Sequence, residues 1–67
     1  MAYQKQNLEV DTRIEFKATG GSLDGQTGTV LAKLVNACLT DDYIIAYDVP
    51  VDGQKAILIT EACLNPI

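Results

Sequence analysis

The sequence predicts an all-β fold: one small sheet of five short strands that curls on itself, with a single helical turn near its end. Three observations predict it. Apolar and polar residues alternate cleanly from Val10 to Lys17, and period-two alternation marks a half-buried strand. Aromatic and β-branched residues crowd two short runs, Tyr43 to Asp48 and Ala56 to Ile59, as strands prefer. Turn signals separate the runs: a glycine-rich stretch from Gly20 to Gly25, then Asp52-Gly53, the strongest short hairpin signal.

Residues 1–8 are polar and without period. They read as a flexible arm, with Tyr3 and Leu8 available to tie it to a partner. Residues 9–67 form the domain. In the first strand Val10, Thr12, Ile14 and Phe16 share the inner face, and Asp11, Arg13, Glu15 and Lys17 face water. Residues 18–26 form a loop, and Leu23, its one large apolar residue, is expected to fold back over the core. Gly25 and Gly28 suit a backbone that turns sharply and then runs straight.

The second strand, Thr27 to Val35, carries apolar groups on both faces, Gly28, Val30, Ala32 and Leu34 against Thr29, Leu31, Lys33 and Val35. Asn36 to Asp42 is a turn region by composition. The third strand, Tyr43 to Asp48, is apolar on both faces, as in a sheet centre or an interface. A hairpin loop from Val49 to Gln54 leads into a fourth strand, Lys55 to Thr60. Thr60 to Cys63 suits one helical turn. Leu64 to Ile67 closes the chain with Leu64 and Ile67 inward, and Pro66 confines this piece to an edge.

A chain of 67 residues is one domain. At this size folding buries only about 60% of the unfolded surface. A closed sheet, a staple or a partner chain must make up the difference. Hydrophobic residues nevertheless reach 48%, more than one curled sheet of this length can hide. The excess points to burial between copies. Leu31, Ile44, Ile45, Ile57, Leu58 and Ile59 are the expected interface residues, and a homo-oligomer is the expected state.

Five basic residues stand against nine acidic ones, for a net charge of −4. Phosphate neutralisation needs a basic patch, so nucleic acid is not an expected partner. Anionic membrane surfaces are disfavoured for the same reason. No apolar run approaches the roughly 18 residues of a membrane span, and residues 1–8 lack the apolar core of a signal peptide. A cytoplasmic protein is expected. Histidine is absent, which leaves Ser22 and both cysteines without the usual activating base. Cys38 and Cys63 match no zinc spacing. They read as small buried apolar residues of a reducing compartment, with a disulfide as the alternative. No metal, cofactor or catalytic residue is assigned.

The layout of strands, early glycine loop, late hairpin and terminal turn resembles an SH3-like barrel. Ile14 to Val30, with Gly21, Gly25 and Gly28-Thr29-Val30, resembles the KOW-type modules of ribosomal proteins and elongation factors. KOW modules that touch RNA are usually basic, so the resemblance implies the fold more than RNA binding. Thr12-Arg13-Ile14, Gly25-Gln26-Thr27-Gly28, Asp42-Tyr43-Ile44-Ile45 and Ala62 to Ile67 resemble the plasmid-encoded type II dihydrofolate reductases. That family assembles around a pore lined by Val-Gln-Ile-Tyr. The matching positions here are Ala56-Ile57-Leu58-Ile59, without the polar groups that orient folate, so the resemblance implies a manner of assembly and no reductase activity.

Three residues stand out for ligand contact. Tyr43 and Tyr47 share one face of the third strand and form either a stacking platform for a flat ring or plain wall. Arg13 is the third candidate. The loop from Gly20 to Gly25 offers backbone N–H groups to a phosphate or is simply a loop, since it lacks the phosphate-loop lysine. Asp41-Asp42, the one acidic doublet, reads as turn solvation. The expected function is a non-enzymatic binding module whose partner is a protein or small molecule; the alternatives are a small-ligand or nucleotide-binding protein with its site between subunits, and a KOW-like accessory of ribosome or polymerase. The short acidic chain is in the style of accessory proteins of phages and mobile elements.

Overall fold

The structure is a computed structural model and describes residues 7–35 and 40–67. The expectations for Tyr3, Cys38 and Leu39 lie outside these residues. Five antiparallel strands form one sheet: β1 (Arg13–Phe16), β2 (Thr27–Leu34), β3 (Asp42–Val51), β4 (Gln54–Thr60) and β5 (Leu64–Pro66). A 3-10 turn, Glu61–Cys63, joins β4 to β5. The strand order is β4-β3-β2-β1-β5, so β4 and β5 are the two edges.

The β3–β4 hairpin has two loop residues, Asp52 and Gly53, with φ of 50° and 75°. Two positive φ values in a row are the signature of the tight turn whose twist matches that of the strands. This lets β3 run on through Pro50 to Val51, past the end expected at Asp48. Pro50 is accommodated where the β3–β4 register is irregular, between Ala46 and Val51. At the other end of the sheet, β1 begins later than the alternation suggested. Asp11 takes a φ of 74° and donates its N–H to the Val30 carbonyl at 2.8 Å. This kink turns Val10 out to solvent, so it does not join Ile14 and Phe16.

The core is Leu8, Ile14, Phe16, Val30, Tyr43, Ile45 and Leu64, with Leu23, Tyr47, Ile57 and Ile59 packed against it. Leu23 does fold back from its loop. Leu8, expected to reach for a partner, is instead part of this chain's own core, where its N–H donates to the Tyr43 hydroxyl at 3.1 Å. Ile67 lies exposed at the end of the chain rather than inward.

A register shift in the β2–β3 pairing, between Val30 and Ala32, changes which side chains of β2 face the core. Before it, Gly28 lies opposite Tyr47 and Val30 opposite Ile45. After it, Lys33 lies opposite Tyr43, and Ala32 and Leu34 lie opposite Ile44 and Asp42. Opposed residues share a face. One extra residue at Leu31 therefore sends Ala32 and Leu34 outward, although unbroken alternation puts them with Val30.

Candidate functional site

Two surfaces are built from these elements. The first is the outer face of β2, β3 and β4. Across the strands run the rows Ala32-Ile44-Leu58 and Thr29-Ala46-Ala56, with Leu34, Asp42 and Thr60 at one end. Leu31 is 48% exposed, Leu34 44% and Leu58 56%. Asp42 is the one charged residue in these rows.

The second is a groove of about 470 Å³ on the inner side of the sheet. Its floor is Leu23, Tyr47, Ile57 and Ile59, and Thr19, Ser22 and Asp52 stand around it. The 18–26 loop forms one wall. That loop is held by its own side chains: Asp24 accepts from the Thr19 N–H at 2.7 Å and from the Thr19 hydroxyl at 2.5 Å. These bonds, the hydroxyl's first, hold the Asp24 carboxyl below its usual range. The Gly20 backbone also bonds the Asp24 carboxylate, so an N–H that a phosphate cradle needs is already taken, which favours the plain-loop reading of Gly20 to Gly25.

The sequence-selected residues do not converge. Tyr43 is wholly buried and spends its hydroxyl on Leu8, so it presents no ring to a ligand. Tyr47 is half-buried, lines the groove, and lies 5.6 Å from the Phe16 ring at a tilt of 50°, a favourable aromatic geometry. The two tyrosines share a face, as alternation requires, yet one is core and the other wall, and no stacking platform forms. Arg13 is on the solvent side of β1, away from both. Of the expected interface residues, Leu31, Ile44 and Leu58 lie on the outer face. Ile57 and Ile59 point inward to the groove, and Ile45 is wholly buried in the core. A side chain with no exposed surface makes no contact with another subunit, which removes Ile45 from the interface set and Tyr43 from the ligand set.

Arg13 has a partner the sequence did not suggest. Its guanidinium donates to both carboxylate oxygens of Asp48, at 2.6 and 2.5 Å, and to the Thr29 hydroxyl. Thr27 also donates to Asp48. The Arg13 bonds first, then Thr27, lower the Asp48 pKa to about 2; the same pairing raises that of Arg13. A carboxyl whose folded pKa lies below its unfolded value of about 3.9 adds stability that is complete above that value and fades as pH falls toward the folded one. Loss of stability is therefore expected between about pH 4 and pH 2, small because the pair is exposed. In Asp48→Asn this part of the acid unfolding curve flattens, and in Arg13→Ala the Asp48 carboxyl, followed by carbon NMR, titrates closer to an ordinary aspartate.

A buried acidic pair also escaped the sequence. Glu61 and Asp41 are both buried. The Asp41 N–H donates to Glu61 Oε1 at 2.9 Å, and the Glu61 N–H donates to the Asp41 carbonyl at 3.1 Å. Lys33 Nζ lies 3.9 Å from Asp41 Oδ2 and donates to Asn7. These reciprocal bonds clip the 3-10 turn to the start of β3. The only sequence signal was an acid in the first turn after Thr60, where Glu is ordinary.

Among the described residues no group of three or more acidic or thiol side chains is placed to hold a metal ion, and no helix is long and apolar enough to cross a membrane. Comparison with protein-family models, curated proteins and solved structures finds no match.

Proposed function

We propose that this chain is a non-enzymatic SH3-like binding module that acts as a homo-oligomer in the cytoplasm. The observation that carries this is the outer face of β2–β4, where Leu31, Leu34 and Leu58 stand exposed beside Ile44 and three alanines. Leaving such surface in water forgoes about 25 cal/mol for each Å² that a partner would cover. The strand order and the 3-10 turn before the last strand support the SH3-like reading.

A second reading rests on the groove. Its volume is that of a small-ligand site; its apolar floor and the Tyr47 ring suit the face of a flat ring such as a base or a pterin, and Thr19, Ser22 and Asp52 stand near enough to meet the polar edge.

Size-exclusion chromatography with light scattering tests the first reading. The particle should weigh a multiple of the 7.2 kDa chain, and Leu58→Asp should shift it toward one chain while circular dichroism still reports a folded sheet. A native chain that runs as a single copy at micromolar concentration refutes self-association. For the groove, a thermal-shift screen with nucleotides and pterins should raise the melting temperature of the native chain and not of Tyr47→Ala.

A further inference from the structure

We propose that β4 is a pairing edge for a second copy of this chain, the two β4 strands running antiparallel about a two-fold axis at Leu58. This rests on the self-association proposed above and adds to the outer face a second contact of definite register, a strand edge. The two edges of the sheet differ sharply. β5 has three residues and ends in Pro66, and a short, proline-bearing edge resists pairing. β4 has seven residues, and from Ala56 to Thr60 it holds no charge, proline or glycine. Its pairing with β3 is regular over those same residues, so no bulge twists the edge away. An edge strand presents a row of backbone N–H and C=O groups that suits another strand.

The composition of β4 selects its own copy as that strand. About a two-fold axis normal to the sheet, inner faces stay with inner faces, so one residue must lie opposite itself. Leu58 in that place sets Ile57 opposite Ile59 and Ala56 opposite Thr60. It also carries Lys55, the one charged residue of the strand, past the last residue of the other copy's β4. The next register, with Ile57 on the axis, would set Lys55 against Ile59 instead. Because Ile57 and Ile59 also floor the groove, pairing at Leu58 continues that apolar floor from one copy into the next.

Hydrogen exchange on the native chain, followed by NMR at low and high concentration beside light scattering, tests this. Alternate amides of an edge strand point away from the sheet and exchange fast. Pairing should slow those amides of β4 by about 100-fold at concentrations where the particle is a dimer. An oligomer in which they exchange as fast as in dilute solution overturns edge pairing and leaves self-association standing; a single copy at every concentration overturns both. A cross-linking experiment checks the register. With Cys38 and Cys63 changed to serine, Leu58→Cys should oxidise to a covalent dimer, since directly opposed residues lie about 4.5–5.5 Å apart at Cα. Leu34→Cys should remain a single chain. The reverse pattern overturns the proposed axis.

Discussion

Ile45→Asp is expected to unfold the chain outright, whereas Leu58→Asp is expected to leave it folded. Ile45 sits mid-way along β3, opposite Val30 and Ile57, with no exposed surface. The substitution removes a buried aliphatic side chain, worth about 1.5–3 kcal/mol. It also places a carboxyl among apolar neighbours, which adds several kcal/mol whether the group ionises or takes up a proton. Domains of this size rarely hold more than about 3–5 kcal/mol in their core, so the sum exceeds what the fold has to lose. Proton NMR should collapse to the narrow dispersion of an unfolded chain. Leu58 is more than half exposed on the outer face, so its carboxylate stays hydrated. A folded Ile45→Asp variant would mean that the core is not organised around β3.

That contrast bears on what the sequence makes legible. Alternation in β1 identified Ile14 and Phe16 as core because the opposite positions, Arg13 and Glu15, are charged and must face water. The Asp52-Gly53 turn was legible because its backbone demands residues that tolerate positive φ. In β2, β3 and β4 both faces are apolar, and period two then says which residues share a face without saying which face is inside. Composition therefore offers Ile45 as an interface residue and Tyr43 as either ligand platform or plain wall, although neither has any exposed surface. The register shift at Leu31 compounds this, since nothing in Val30-Leu31-Ala32 marks an extra residue. Arg13–Asp48 and Asp41–Glu61 join residues 35 and 20 positions apart, and such pairings appear only once the strand order is known.

The groove shows the same limit from another side. Its floor draws on the loop, β3 and β4, none of which carries a motif alone. Tyr47 stands out in the sequence for its ring, and the structure gives that ring a setting: packed against Phe16 and lining the groove. Ile57 and Ile59 stand out in the sequence as contact residues because they are aliphatic, and nothing in the sequence shows that they line a cavity. An aliphatic strand at the edge of a small sheet serves its own core, a ligand and a second copy with the same side chains, so composition alone cannot apportion them.

Gly28→Ala is expected to cost about 3 kcal/mol, near the upper end for a small-to-large change in a packed interior. The sequence suggested that Gly28 is needed for a sharp turn. Positive φ is in fact found at Gly20, Gly25 and Gly53, and Gly28 lies inside β2, opposite Tyr47. Its requirement is room. A Cβ there would sit 2.5 Å from the Ala46 carbonyl oxygen and 2.8 Å from Ile45 Cγ2. The first of these is backbone, which cannot rotate aside as a side chain does, so β2 and β3 must separate where their ladder begins. Thermal unfolding should show a markedly lower midpoint for Gly28→Ala. Gly21→Ala is the control: nothing lies within 4 Å of its added methyl, and loss of chain entropy in the unfolded state makes such a change neutral or slightly stabilising. Gly25→Ala should fall between them, because its φ of 88° strains any residue with a Cβ by about 1–2 kcal/mol. Equal midpoints for Gly28→Ala and Gly21→Ala would mean that β2 and β3 are not in this close register, and the assignment of inner and outer faces would fail with it.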